Sequence, residues 1–309
     1  MPADEDPDTP PHPGTRVSVL GPGGVGGLLA ALLSRAGADV TCLAGRDTVE
    51  ELNRSGVHVR SAQFGDFDTP VRAAQTLQGP TDVCFITVKA TQLDAALGRL
   101  PVDLDSLVVP LLNGVEHVQT LRNALPRAGV VAATIRVEAN KPAPGQVVHA
   151  SPFTVVELAP PAALRTQSEA LADRLRSAGL EVRVADDEAT TLWSKLAFLA
   201  PFALLTTDRQ AIAGDVRQHG RSELTAVVAE VAAVARAEGA RSDEDATLRF
   251  FDQVPAGMRS SMQRDAAEGR RTELDAIGGA VLRAAAWHDI EVPVTAALVD
   301  RLYARYEAS

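Results

Sequence analysis

Residues 16–46 read RVSVLGPGGVGGLLAALLSRAGADVTCLAGR, and this stretch decides the fold of the first half of the chain. Arg16–Leu20 is a compact apolar strand, and Leu28, Leu29, Leu32 and Leu33 follow at helical spacing. Gly37 ends that helix, and Asp39–Leu43 is the next strand. Between strand and helix lie Gly21, Gly23 and Gly26 in G-x-G-x-x-G spacing. The string alone is weak evidence, because glycine is common. Its place, directly after a strand and opening an apolar helix, is the context that the motif requires. Gly21 permits the tight turn, Gly23 lets a pyrophosphate approach the backbone, and Gly26 allows close helix–sheet packing. With Gly24 and Val25, the helix start offers unpaired N–H groups and a positive dipole end to phosphates. The bland alternative is a glycine-rich turn with no ligand.

The second strand closes on Ala44-Gly45-Arg46, where an NAD site usually carries Asp or Glu for the ribose hydroxyls. Arginine's fixed fork of donors suits a 2′-phosphate, and Ala44 brings no carboxylate to repel it. The stretch therefore predicts NADP(H), with NADPH favoured over NADH. A solvated arginine paired with Asp47 is the competing reading.

Outward from this stretch, short strands are expected at Gly56–Arg60, Asp82–Val88 and Leu107–Leu112, with a helix at Gln92–Leu100. From Val130 to Leu158 strands alternate with Pro/Gly turns, and helix 162–178 with strand Glu181–Val184 is expected to complete the sheet. Residues 187–205, 216–239, 243–253, 265–286 and 293–307 all read as helices. The expected architecture is α/β: an N-terminal Rossmann-type dinucleotide-binding domain, 15–185, and a mostly α-helical C-terminal domain, 186–309. Residues 1–14, proline-rich and acidic, read as a disordered leader outside the fold.

Composition narrows the function classes. The formal charge is −10 and no dense Lys/Arg tract is present, which argues against nucleic acid as a partner. No long uncharged apolar stretch predicts a membrane span. Cys42 and Cys84, the two cysteines, sit inside apolar runs and read as small buried hydrophobes. A reducing cytoplasm is the simpler compartment. No metal site is assigned.

Lys89 follows strand 82–88 and Asn113 follows strand 107–112, both at the carboxyl end of the sheet where such folds bind ligands. Lys195 lies in a helix that is apolar on most faces. A lysine there snorkels out, pairs with a carboxylate, or faces a cavity, where desolvation makes it a usable general acid. Glu273 reads either as a first-turn acid favoured by the helix dipole or as the partner that orients Lys195.

Together these residues resemble the ketopantoate reductase (2-dehydropantoate 2-reductase) family almost along the full length from Arg16. The match comprises the Gly21–Gly26 loop, Arg46, Val88-Lys89-Ala90, Asn113-Gly114, Trp193-Ser-Lys195-Leu, Ser260-Ser261-Met262 with Asp265, and Thr272-Glu273-Leu-Asp275 with Gly278. The resemblance implies hydride transfer from NADPH to the ketone of a 2-oxo acid. By the same token, Lys195 is the general acid, Glu273 supports lysine and substrate, and Ser261 contacts substrate. Asn113 and Lys89 would line the cofactor–substrate junction. One departure stands out: family asparagines one and two turns after the lysine are replaced by Leu199 and Ala203, and a third is replaced near Ala213. Each lost buried hydrogen bond weakens recognition by about 1 kcal/mol or more, so a more apolar pocket is expected. The identity of the acid therefore stays open between ketopantoate and a larger, less polar ketone or imine. A non-catalytic NADPH-binding sensor is the alternative of another class. A homodimer through the helical domain is expected by family analogy and from the apolar run Leu224–Ala235, which serves equally as intramolecular core.

Overall fold

The computed structural model describes residues 14–306, so the expected leader, Gly14 apart, lies outside the described residues. From the N-terminus run β1 (Arg16–Leu20), α1 (Gly24–Arg35), β2 (Asp39–Leu43), α2 (Arg46–Ser55), β3 (Val57–Ser61), β4 (Phe67–Thr69), β5 (Arg72–Ala74), β6 (Val83–Ile86), α3 (Leu93–Leu97), β7 (Leu107–Pro110) and α4 (His117–Ala124). Next come β8 (Gly129–Val130), β9 (Ala132–Arg136), β10 (Ala139–Asn140), β11 (Gln146–His149), β12 (Val155–Ala159), α5 (Arg165–Ser177) and β13 (Glu181–Val184). Every further element among the described residues is helical. These are α6 (Glu188–Asp208), α7 (Ala213–His219), α8 (Arg221–Ala237), α9 (Glu244–Gln253), α10 (Ser261–Ala267), α11 (Ala280–Trp287) and α12 (Pro293–Tyr306). A π-helical turn at Asp275–Gly279 leads into α11.

The principal sheet is parallel, in the order β5-β2-β1-β6-β7-β8. Strand order reverses between β1 and β6, and the crevice beyond their carboxyl ends is where a doubly wound sheet binds its ligand. The Gly21–Gly26 loop and Lys89 leave the sheet there. Central strands β6 and β7 are buried along their whole length, as strands covered on both faces must be.

Helix α1 explains a feature of the opening stretch. It is buried from Gly26 to Leu33 with almost no polar face, because a second sheet, β10-β11-β3-β4, covers the side turned away from β1 and β2. A helix enclosed by two sheets has no solvent face to mark.

The structure corrects several expectations. The strand at Gly56–Arg60 belongs to this second sheet, not to the parallel one. Strand Glu181–Val184 does not complete the principal sheet either; β13 pairs with β12 in a separate three-stranded sheet, β13-β12-β9. Period-2 patterning marks a strand but does not say which sheet takes it. The expected helix 216–239 is two helices, divided at Gly220, which caps one and opens the next. The expected helix 265–286 breaks after Ala267, where Gly269 turns left-handed at φ +66°.

The helical half has its own core, built around α6 and α8. Helix α6, at 21 residues and mean hydropathy 1.2, is long and apolar enough to cross a membrane by length and composition. It is mostly buried inside this core, against β9 on one side and α8 on another.

Candidate active site

The glycine loop is shaped by steric exclusion. Gly21 sits at φ +86°, and a Cβ there would lie 2.4 Å from Val88 Cγ1. At Gly24 a Cβ would lie 2.1 Å from the Ala139 carbonyl oxygen, and at Gly26 2.2 Å from Thr87 Oγ1. Thr87, which sequence reading passed over, donates its hydroxyl to the carbonyls of Leu20 (3.1 Å) and Gly21 (2.8 Å) and so fixes the turn. Gly23 differs from its neighbours: the nearest protein atom to a Cβ there is 3.9 Å away. The protein itself has room for a side chain at Gly23, so the open space above it is a cradle. Helix α1 starts at that point with no side-chain cap and no acidic residue in its first turn. Val25 is partly exposed on the same turn. Unoccupied backbone donors beside an open face fit a pyrophosphate.

Arg46 is the exposed first residue of α2, just past the end of β2. Its Nε donates to Glu50 at 2.9 Å, one turn on, rather than pairing with Asp47. A second guanidinium holds the same strand end. Arg99 Nη1 donates to the carbonyls of Ala44 (2.8 Å) and Gln75 (2.7 Å), tying the ends of β2 and β5 together. Nothing local in the sequence marks Arg99, because both its partners lie far from it along the chain.

Four of the other candidates, Lys89, Asn113, Lys195 and Glu273, come together where the loops after β6 and β7 meet the helical half. Glu273 is 5% exposed, directly before the π-helical turn, and its carbonyl accepts the Ile277 N–H at 3.0 Å. Its carboxylate accepts from the Ala90 N–H (3.0 Å) and from Asn113 Nδ2 (2.9 Å). Glu273 thus stands just ahead of the helix, with its carboxylate held by the sheet loops rather than hydrogen-bonded to Lys195. Next to Asn113, a Cβ on Gly114 (φ +85°) would lie 2.4 Å from the Ala276 carbonyl, so the loop lies directly on the π-helical turn.

Lys195, on α6, is partly buried, and its Nζ has one long contact, 3.5 Å to the Leu112 carbonyl. Burial brings its pKa down from 10.5 to about 8; the Glu273 carboxylate works against that shift and Arg136 works with it. The ammonium does not snorkel out; it faces this junction. Lys89 Nζ forms an ion pair with buried Asp265 at 2.7 Å, and Arg270 holds the other oxygen of Asp265. Ser261 is exposed at the start of α10, while its neighbour Ser260 caps the helix and bonds Thr206 Oγ1 at 2.9 Å. Leu199 is half-buried one turn after Lys195. Ala203, a further turn on, is fully buried in the helical core.

The residues that meet here come from a dinucleotide-type sheet and an all-helical half, and the chain as a whole is similar to known proteins. The family model described as ketopantoate reductase PanE/ApbA matches residues 17–160, and its C-terminal counterpart matches residues 187–306. The chain belongs to the ketopantoate reductase family. The 2-dehydropantoate 2-reductase of Mycobacterium tuberculosis strain H37Rv is 35% identical over 303 residues, covering 94% of this chain and 97% of that protein. That of Caulobacter vibrioides is 32% identical, covering 94% and 99%. Among solved structures, the PanE/ApbA family ketopantoate reductase of Ralstonia eutropha JMP134 has a TM-score of 0.83 at 29% identity, over 94% of this chain and 98% of that one. A D-mandelate dehydrogenase bound to NADH and anilino(oxo)acetate shares the fold, at a TM-score of 0.85 and 21% identity over 94% and 98%. Membership makes this chain an NADP(H)-dependent oxidoreductase, in agreement with the Gly23 cradle and with Arg46 at the end of β2.

Proposed function

We propose that this protein reduces the ketone of a 2-oxo acid with NADPH, converting ketopantoate to pantoate or acting on a close relative. The observation that carries the reading is Lys195: a partly buried ammonium with its pKa brought down to about 8, facing a carboxylate pinned by the loops after β6 and β7. NADPH, when bound, supplies the hydride for the ketone carbon. Gly21–Gly26 hold its pyrophosphate, with Arg46 for its 2′-phosphate. As charge grows on the ketone oxygen, Lys195 Nζ donates the proton, a cationic acid placed where negative charge develops. Glu273 keeps the lysine cationic at neutral pH, and Asn113 keeps Glu273 in place. By the family resemblance Ser261, exposed at the start of α10, would contact the substrate, and Lys89 is tied to the helical half through Asp265.

A second reading rests on Leu199, half-buried one turn after Lys195 where the family resemblance has an asparagine. A leucine there favours a 2-oxo acid with a larger, less polar substituent. The test is NADPH oxidation with ketopantoate and with a panel of bulkier 2-oxo acids. Ketopantoate turnover with kcat/KM of about 10⁴ M⁻¹s⁻¹ or more upholds the first reading. Turnover of the bulkier acids alone upholds the second. Tight NADPH binding without oxidation by any of them overturns both and leaves a sensor. The free, buried Cys42 and Cys84 accord with a reducing cytoplasm, and a homodimer through the helical half is the assembly to check by light scattering.

A further inference from the structure

Residues 112–116, in the loop after β7, meet the helical half at three places. The Leu112 carbonyl lies 3.5 Å from Lys195 Nζ, Asn113 Nδ2 donates to the Glu273 carboxylate at 2.9 Å, and Glu116 pairs with Arg283 on α11. The first two contacts belong to the candidate site. The third is exposed at the surface.

Arg283 grips both sides of this contact at once. Its Nε and Nη2 donate to the two carboxylate oxygens of Glu116, each at 2.7 Å, in the parallel fork that fixes direction as well as distance. Its Nη1 donates to Asp275 Oδ1 at 2.8 Å, and Nη2 reaches the Asp275 carbonyl at 3.1 Å. Asp275 opens the π-helical turn two residues after Glu273. Its carboxylate also accepts from the Tyr303 hydroxyl on α12 at 3.0 Å. Hydrogen bonding to Arg283 is the main cause that holds the Asp275 carboxyl below the ordinary carboxylate range.

Both backbones leave room for so close an approach. A Cβ on Gly114 would lie 2.4 Å from the Ala276 carbonyl, and one on Gly279 would lie 2.6 Å from Asp275 Oδ1 and 3.0 Å from Arg283 Nη1. Stability does not account for the arrangement, because Arg283, Glu116 and Asp275 are all exposed and exposed ion pairs contribute little. Its effect is on register. The outer bridge joins the same two segments that Asn113 and buried Glu273 join inside.

We propose that Arg283 is a positioning residue: its grip on Glu116 and Asp275 sets the register of residues 112–116 on the π-helical turn, and through Leu112 and Asn113 it sets where the Lys195 ammonium and the Glu273 carboxylate stand. The inference rests on Lys195 as the general acid. Burial brings the Lys195 pKa down to about 8, Arg136 from β9 adds to that, and Glu273 opposes it. His117, from α4, is neutral there, its own pKa brought down to about 3 by burial and by Lys195. A Glu273 that drifts out of place therefore leaves the lysine with a lower pKa.

The test compares Arg283→Met, Arg283→Lys, Glu116→Gln and the Met–Gln double variant with the wild type and with Lys195→Ala. It reads Tm, kcat/KM for the 2-oxo acid across pH, and the titration of Lys195 itself. The chain has three lysines, Lys89, Lys141 and Lys195, so NMR of isotope-labelled methyl groups on them follows each ammonium without any turnover. Arg283→Met is expected to keep Tm within about 3 °C, since the lost pairs are exposed. Its kcat/KM at neutral pH is expected to fall about 5- to 20-fold, as for a slightly misplaced reacting group. The Lys195 midpoint and the alkaline limb of kcat/KM are expected to move together, about half a pH unit or more below the wild type. Glu116→Gln is expected to act in the same direction, with the double variant no worse than Arg283→Met, because both cut one bridge. Arg283→Lys keeps the charge without the fork and is expected to recover part of the rate. Arg283→Met with kcat/KM within about twofold of the wild type and an unmoved Lys195 midpoint overturns the proposal. So does a loss of kcat/KM that follows Tm while the midpoint stays in place, the mark of a structural role. If Lys195→Ala keeps the wild-type rate, the general-acid reading fails and this inference with it; the Lys195 midpoint in Arg283→Met tells the two failures apart.

Discussion

The glycine cradle and the Lys195–Glu273 cluster face the same crevice but are built in opposite ways. The cradle comes from six consecutive residues closed by the segment after β6 and by β10, and its shape follows from where a Cβ cannot go. Its donors are neutral backbone amides, indifferent to pH. The cluster is assembled by contacts spanning 160 residues (Asn113 to Glu273), 176 (Lys89 to Asp265) and 183 (Ala90 to Glu273). Its working part is a charge whose state depends on burial. The difference teaches that cofactor binding and proton delivery should fail separately: the first by filling space, the second by changing charge.

The largest expected effect tests that separation directly. Lys195→Ala should lower kcat/KM by about 10²- to 10⁴-fold, the usual contribution of a general acid, while NADPH titration shows little change in affinity. A wild-type-like pH profile should accompany the unmodified protein's role as follows: the ammonium is the donor, so kcat/KM is steady below about pH 8 and declines as pH rises through it. A profile flat to pH 10 would break the assignment.

Next comes the cradle. Gly23→Ala should leave Tm nearly unchanged, since its Cβ meets nothing in the protein, yet weaken NADPH by about tenfold or more through lost backbone approach. Gly24→Ala should instead lower Tm, because its Cβ would be driven onto the Ala139 carbonyl. Equal losses of Tm in both variants would show that Gly23 is there for packing alone.

The smallest effect is at the rim. Arg46 is exposed and shares its charge with Glu50, so Arg46→Ala should weaken NADPH by about tenfold, or 1.4 kcal/mol, with NADH little affected. The NADPH advantage should also shrink with added salt, as exposed charge interactions do. Parallel loss of both cofactors would move Arg46 from phosphate recognition to helix structure.

The nucleotide half was legible because its signals are local. A strand, three spaced glycines and an apolar helix are contiguous, and each glycine's role follows from covalent sterics. The reading faltered where a strand had to choose a sheet: Val57–Ser61 and Glu181–Val184 were recognisable as strands, but their partners come from distant segments. The two helix breaks at Gly220 and Gly269 were each marked by a glycine, though only the folded chain shows that these glycines interrupt the helices. Arg99 carried no signal, because a two-carbonyl clamp exists only once remote segments are packed.

By itself, then, the sequence determined the dinucleotide-type sheet, the helical second half, the open glycine loop and the chemical types of the residues around the crevice. Tertiary structure alone decided that Glu273 is held by Ala90 and Asn113, that Lys89 pairs with Asp265, and that Lys195 points inward at lowered pKa. The physical reason is range. Backbone sterics and helical periodicity act over a few residues and can be read in order, whereas desolvation and charge pairing depend on which distant groups the fold brings together.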